Sequence, residues 1–199
     1  MKAPYIAALV LATASSSVFA GGVAFRFGTD TFGVSLAGDM SPESSAQFDW
    51  LHHEDDADMV ALGLYANGQR GALSGRVGAK AIGLEGDDFD LDGGAVAFGG
   101  DLSLPLNEIV RLRAGLYYAP SATGFGDVDG YDEWSLSAEF SLFQNSAIQV
   151  GYGSMDFDAE NGKKIEFEDG AFVRLQRCCE SRRRVSETVW ISHLLKNSK

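Results

Sequence analysis

From Val110 to Tyr118 every second residue is apolar: Val110, Leu112, Ala114, Leu116 and Tyr118 alternate with Arg111, Arg113, Gly115 and Tyr117. A repeat of two marks an extended strand with two unlike faces, because successive side chains point to opposite sides of a strand, whereas a helix repeats every three to four residues. The pattern returns at Trp134, Leu136, Ala138, Phe140 and Leu142 against Glu133, Ser135, Ser137, Glu139 and Ser141. Helical spacing is never sustained between Gly21 and Gln176. The fold class is therefore all-β.

Ten candidate strands can be read, centred on residues 23–27, 32–36, 48–50, 59–67, 72–84, 96–102, 110–118, 134–142, 148–152 and 171–175. Eight result if the first pair is counted differently. Several reach the roughly 9–11 residues that a tilted strand needs to cross a bilayer. With 24 glycines, 13 phenylalanines, 6 tyrosines and 3 tryptophans against 4 prolines, the composition favours twisted, closed β-structure over a helix bundle.

The chain opens with Lys2, an apolar run from Tyr5 to Ala14, three serines and Val18, Phe19, Ala20. A charged start, a short apolar stretch and small residues before a cut after Ala20 make residues 1–20 a secretory signal peptide, too short to anchor in a bilayer as a helix. Residues 21–176 form the barrel domain.

A soluble barrel or sandwich alternates too, with its polar face in water. Here that polar face is Gly, Ser and Ala with few charges of both signs: Arg76, Lys80, Arg111, Arg113, Glu133, Glu139 and Arg174. A water-facing surface is more evenly charged. The apolar face is thus expected toward lipid, and these seven residues toward a narrow lumen, where they can pair. Tyr117, Tyr118, Tyr131, Trp134, Phe143 and Tyr152 lie near strand ends and are expected in interfacial aromatic girdles.

The connections fall into two alternating sets. Residues 67–71, 105–108 and 144–146 are short, whereas 52–58, 85–92, 120–130 and 156–164 are longer and acidic, with 38–45 a longer segment at a nominally short end. Short periplasmic turns and longer external loops are the habit of an antiparallel up-and-down transmembrane β-barrel. The expected location is the bacterial outer membrane, and the expected partners are its lipid and lipopolysaccharide. The net charge of −12 excludes nucleic acid.

The composition breaks at Gln176. Residues 21–176 carry nine basic against 26 acidic residues, while 177–199 carry six against two, both cysteines (Cys178 and Cys179) and no glycine. This basic tail is expected to be disordered or aberrant: a cluster that meets anionic surfaces, or the product of a changed reading frame. Adjacent cysteines cannot readily close a disulfide on each other.

Chemistry-bearing motifs are few. Asp88, Asp90 and Asp92 followed by Gly93 have calcium-loop spacing, but Gly99 stands where such a loop places a bidentate Glu, so weak surface Ca²⁺ or Mg²⁺ contact is the most they imply. His52 and His53, beside Glu54, Asp55, Asp56 and Asp58, would point to opposite faces of a strand and not chelate together. Without a nucleophile elbow, phosphate loop or HExxH motif, no enzyme and no cofactor are expected, the alternative being a barrel-embedded hydrolase or acyltransferase acting on lipid or peptide. A ten-stranded barrel is only slightly wider than one that side chains fill, so a plugged or very narrow lumen is expected over a wide channel.

The first strand Gly-Val-Ala-Phe-Arg-Phe, the segment Val110 to Pro120 and the closing Gly-Ala-Phe-Val-Arg-Leu-Gln from Gly170 to Gln176 resemble the YfaZ-like outer-membrane proteins. The resemblance covers about residues 21–176. It implies a small porin-type barrel, a narrow pore or structural surface protein, and brings no catalytic residue with it. Such barrels generally end in an aromatic residue that the barrel-insertion machinery recognises. Here Arg177 and Cys179 occupy the expected apolar positions, so assembly is expected to be poor, and better with an apolar, aromatic closing strand.

Overall fold

The computed structural model describes residues 21–86, 91–143, 145–159 and 162–178; residues 1–20, expected as a signal peptide, Asp88, Asp90 and residues 179–199 lie outside them. The strands are β1 (Gly21–Phe27), β2 (Thr31–Ser41), β3 (Ser44–His53), β4 (Ala57–Arg70), β5 (Leu73–Gly86), β6 (Leu91–Pro105), β7 (Val110–Ala119), β8 (Gly124–Gly126), β9 (Val128–Phe143), β10 (Ser146–Ala159) and β11 (Lys164–Cys178). All neighbours pair antiparallel. β1 pairs with β2 and also with β11, and β5 pairs with β6, so ten strands close into a ring. Closure satisfies every strand edge, which lets a sheet stand in hydrocarbon. The short β8 is an excursion between β7 and β9 that lies along β6.

The barrel is apolar outside. Phe25, Phe32, Leu62, Val77, Phe98, Leu116, Leu136, Val150 and Val173, from nine different strands, are all exposed. Such a continuous apolar belt would drive a water-soluble monomer to aggregate, and it suits a lipid surround. Near one end of the belt, outward aromatic rings meet in pairs: Phe27 with Phe32 at 5.4 Å, Phe32 with Trp50 at 6.1 Å and Trp134 with Tyr152 at 5.9 Å. This girdle excludes Tyr117 and Tyr131, which are buried inside. Adjacent tyrosines 117 and 118 must face opposite ways, and Tyr131 is in phase with Glu133 rather than Trp134.

One end holds the connections 42–43, 71–72, 106–109 and 144–145, and is called the turn end. Gly71, at φ 62, supplies the left-handed residue of the β4–β5 turn. The segment 38–45 is no long connection, since β2 and β3 continue through it to Ser41 and from Ser44, with an irregular pairing step between Asp39 and Ser41. The other, loop end is also tighter than the sequence implies. His52 and His53 belong to β3, and the β3–β4 loop is only 54–56; between Pro120 and Gly130 stand a single 3-10 turn at Ser121–Thr123, β8 and the start of β9. Strands outlast the apolar belt because their backbones stay paired in water while the outward side chains become charged and solvated. β11 runs through Cys178, with Arg177 opposite both Val23 and Ser146 and on the exposed face.

Candidate functional site

The inward face changes character along the barrel axis. At the turn end it is an open cup of about 990 Å³ walled by small and polar residues, among them Gly22, Ser45, Asn67, Ser74 and Ser103, with Arg111 near the 106–109 turn and Arg76 and Arg113 where the cup meets the deeper lumen. Small side chains are what keep this half of the lumen empty.

The floor is a layer of ion pairs. Arg76 stands directly opposite Asp101 in the β5–β6 ladder, and its Nε donates to Oδ2 at 2.5 Å. The Tyr117 hydroxyl donates to the same oxygen at 2.7 Å, and the Arg76 guanidinium lies 4.1 Å over the Tyr65 ring. Glu139 accepts from Arg111 Nη1 at 2.9 Å, Arg113 Nη1 at 2.7 Å and Gln176 Nε2 at 2.8 Å. Its side chain is 3% exposed, against 46% for Arg111 and 31% for Arg113.

Deeper in, Lys80 of β5 crosses β6 and β7 to pair with Glu133 of β9, which also accepts the Tyr131 hydroxyl at 2.6 Å. Lys80 Nζ sits 4.3 Å from the centre of the Tyr117 ring, whose negative face suits an ammonium. On the opposite wall Arg26 Nη2 pairs with Glu168 at 2.7 Å and stacks 4.0 Å over Phe172, while Thr31 donates to the second Glu168 oxygen at 3.1 Å. Between these pairs lies a small chamber of about 70 Å³, lined in part by Arg174, Asp49 and Gln149.

Glycines make this layer possible. A Cβ on Gly63 would sit 2.2 Å from the Tyr65 hydroxyl, and one on Gly99 would be 2.7 Å from Tyr117 Cδ1. Each tyrosine thus occupies the space that a side chain on the same inward face would take.

Toward the loop end the lumen turns apolar and solid. Met59, Ile82, Val128, Tyr131, Phe157 and Phe167, drawn from β4, β5, β9, β10 and β11, are the core of one cluster and are essentially unexposed. The ring of Tyr131 contacts that of Phe157 at 4.8 Å, Phe157 meets Phe167 edge-on at 6.0 Å, and Phe167 meets His53 of β3 at 5.5 Å. The last contact skips β1 and β2, so the cluster spans the bore.

Of the seven charges expected inside, six stand in ion pairs: Arg76 with Asp101, Lys80 with Glu133, and Arg111 and Arg113 with Glu139. Only Lys80–Glu133 reaches past its neighbours; the other three pairs run along the wall between adjacent strands. Arg174 lines the small chamber, and its Nε is buried without a hydrogen-bond partner among the described residues. Asp101, Glu168 and Arg26 were not among the expected seven. Asp101 and Arg26 each sit one residue from an outward apolar neighbour, Leu102 and Phe25, and strict alternation from those two would have placed them inside. Glu168 is less readable because the β10–β11 register shifts between Met155 and Asp156.

The remaining motifs do not converge. Asp92 is bonded through its backbone to Asp127, at 3.2 Å to the carboxylate and 3.1 Å from the amide, and among the described residues no group of three His, Cys, Asp or Glu is placed to hold a metal. His52 stacks outward on Trp50 and contacts Asp58 Oδ1 at 3.2 Å, whereas His53 faces inward.

A closed ten-stranded antiparallel barrel with an apolar exterior and a charged interior defines a small outer-membrane β-barrel protein of the porin-like class. The chain belongs to the YfaZ family: the family model described as "YfaZ precursor" matches residues 1–177. It is 28% identical over 148 residues to the outer membrane protein YfaZ of Escherichia coli (strain K12), covering 74% of this chain and 76% of that protein. The protein is thus placed in the bacterial outer membrane, where its belt contacts lipid. Among solved structures it is similar to the KdgM porin, with a TM-score of 0.47 and 7% identity over 80% of this chain and 99% of that one. The outer membrane channel DcaP of Acinetobacter baumannii matches with a TM-score of 0.43 and 11% identity, over 82% of this chain but 54% of that one.

Proposed function

We propose that the protein is a narrow pore held shut in the described state, with its turn end toward the periplasm and its acidic loop end outward. The observation that carries this reading is the layering of the lumen, a water-accessible cup and a charged layer ending on an apolar cluster that spans the bore. An apolar constriction excludes ions by refusing to hydrate them. A barrel filled only for stability has little use for the charged layer, because well-packed apolar residues of equal volume stabilise at least as well as buried ion pairs. No catalytic role is assigned to any residue, since His52 and His53 lie on opposite faces.

Planar-bilayer recording tests the reading. The unaltered protein is expected to give few and small current steps, and the Phe157→Ala/Phe167→Ala protein stable unitary steps. Equal silence from both, with both showing the heat-modifiable gel mobility of a closed barrel, would replace the pore with a structural surface protein. Large steady conductance from the unaltered protein would show that the cluster does not close the bore.

A further inference from the structure

The β7 wall of the cup holds more cationic donors than its carboxylate partner uses. Arg111 and Arg113 share one carboxylate, and each reaches it through Nη1 alone. A guanidinium has five N–H donors in a fixed fork that matches an oxyanion, so most of theirs remain available among the described residues. Both side chains are partly exposed, and both line the cup. Below them Arg174 faces the small chamber with its Nε unpartnered, and Arg113, Arg76 and Asp101 line both spaces.

The surrounding charges do not cancel this excess. Asp101 is bound by Arg76 and Tyr117, Lys80 by Glu133, and Arg26 by Glu168; Asp49, across the chamber, accepts twice from Gln47 at 2.8 Å. The cup's other carboxylates, Asp39 and Glu43, belong to the β2–β3 end, on the far side of the ring from β7 in the strand order. They repel a second negative group reaching across the mouth and leave the β7 wall cationic.

We propose that the cup binds a small solute with one oxyanion group, a carboxylate or a phosphate, held by Arg111 and Arg113, while neutral hydrogen-bonding residues such as Asn67, Ser74 and Ser103 receive its hydroxyl groups. The cup's volume of about 990 Å³ exceeds what such a solute needs and leaves room for bridging water. Because the cup is open at the turn end, the site does not depend on the plug moving.

The test is calorimetric titration of the full chain, folded in detergent micelles, with gluconate, glycerol 3-phosphate and sorbitol. Saturable binding of either anion without binding of sorbitol is expected, and which anion binds tells carboxylate from phosphate. In the Arg111→Gln/Arg113→Gln protein the affinity should fall about tenfold or more. Glu139→Gln, which frees both guanidiniums, should retain or tighten binding; if it does not reach barrel mobility on a gel, Arg111→Gln alone should still weaken affinity. Absence of saturable binding by both anions, or an affinity unchanged in the double variant, would overturn the site. Binding with bilayers silent for both the unaltered and the Phe157→Ala/Phe167→Ala protein removes only the pore, and conductance of that variant without binding removes only the site.

Discussion

The two halves of the lumen are enclosed by the same ten strands and filled in opposite ways. At the turn end glycine, serine and asparagine, together with arginines and carboxylates, surround a cup of about 990 Å³; at the loop end the inward residues include Met59, Ile82, Tyr131, Phe157 and Phe167, essentially without exposure. Strand number is common to both, so the contrast comes from the size and polarity of the inward side chains. It teaches that in so small a barrel the route is set residue by residue on the inner face, not by the ring itself. The ion-pair layer sits where wet meets dry, and its outermost members, Arg111 and Arg113, are the most exposed.

That boundary can be broken from its dry side first. Glu133→Ala would strand Lys80, whose side chain is 7% exposed, without its carboxylate, and should destabilise the barrel by about 3–5 kcal/mol, as loss of one partner of a buried pair does. Urea unfolding followed by gel mobility reads this, and a loss below about 1 kcal/mol would mean that water reaches Lys80 and that the dry zone begins higher. Tyr117→Phe tests the middle. It removes one of the two donors to Asp101 and should cost about 1–3 kcal/mol in the same assay, with no change if water takes the hydroxyl's place. On the wet side, Arg111→Gln should shift stability by less than about 1 kcal/mol, because the pair is half exposed and Arg113 and Gln176 still hold Glu139. A larger loss would move the dry zone down to the cup.

Much of this was readable in the chain because a period of two is a local signal. From Leu112 to Ala119 burial alternates as the sequence does, and the register of this strand opposite β9 sets Arg111 against Glu139. Other features needed more than alternation. Tyr131 reads as a girdle residue by its place near a strand end, yet its hydroxyl goes to Glu133 inside. The acidic segment around His52 reads as loop by composition, and pairing with β2 and β4 makes it strand, with His52 opposite Phe32 and Asp58.

Sequence by itself determined the inside-out alternation, a barrel of about ten strands and seven of the charges placed on the polar face, because each rests on neighbours along the chain. Only the tertiary structure decided which charge meets which, that Lys80 reaches Glu133 across two intervening strands, and that the rings of Phe157, Phe167 and His53 meet inside the barrel. Those contacts join residues far apart in the chain, and they exist only once the ring has closed and fixed how far each inward side chain stands along the barrel axis.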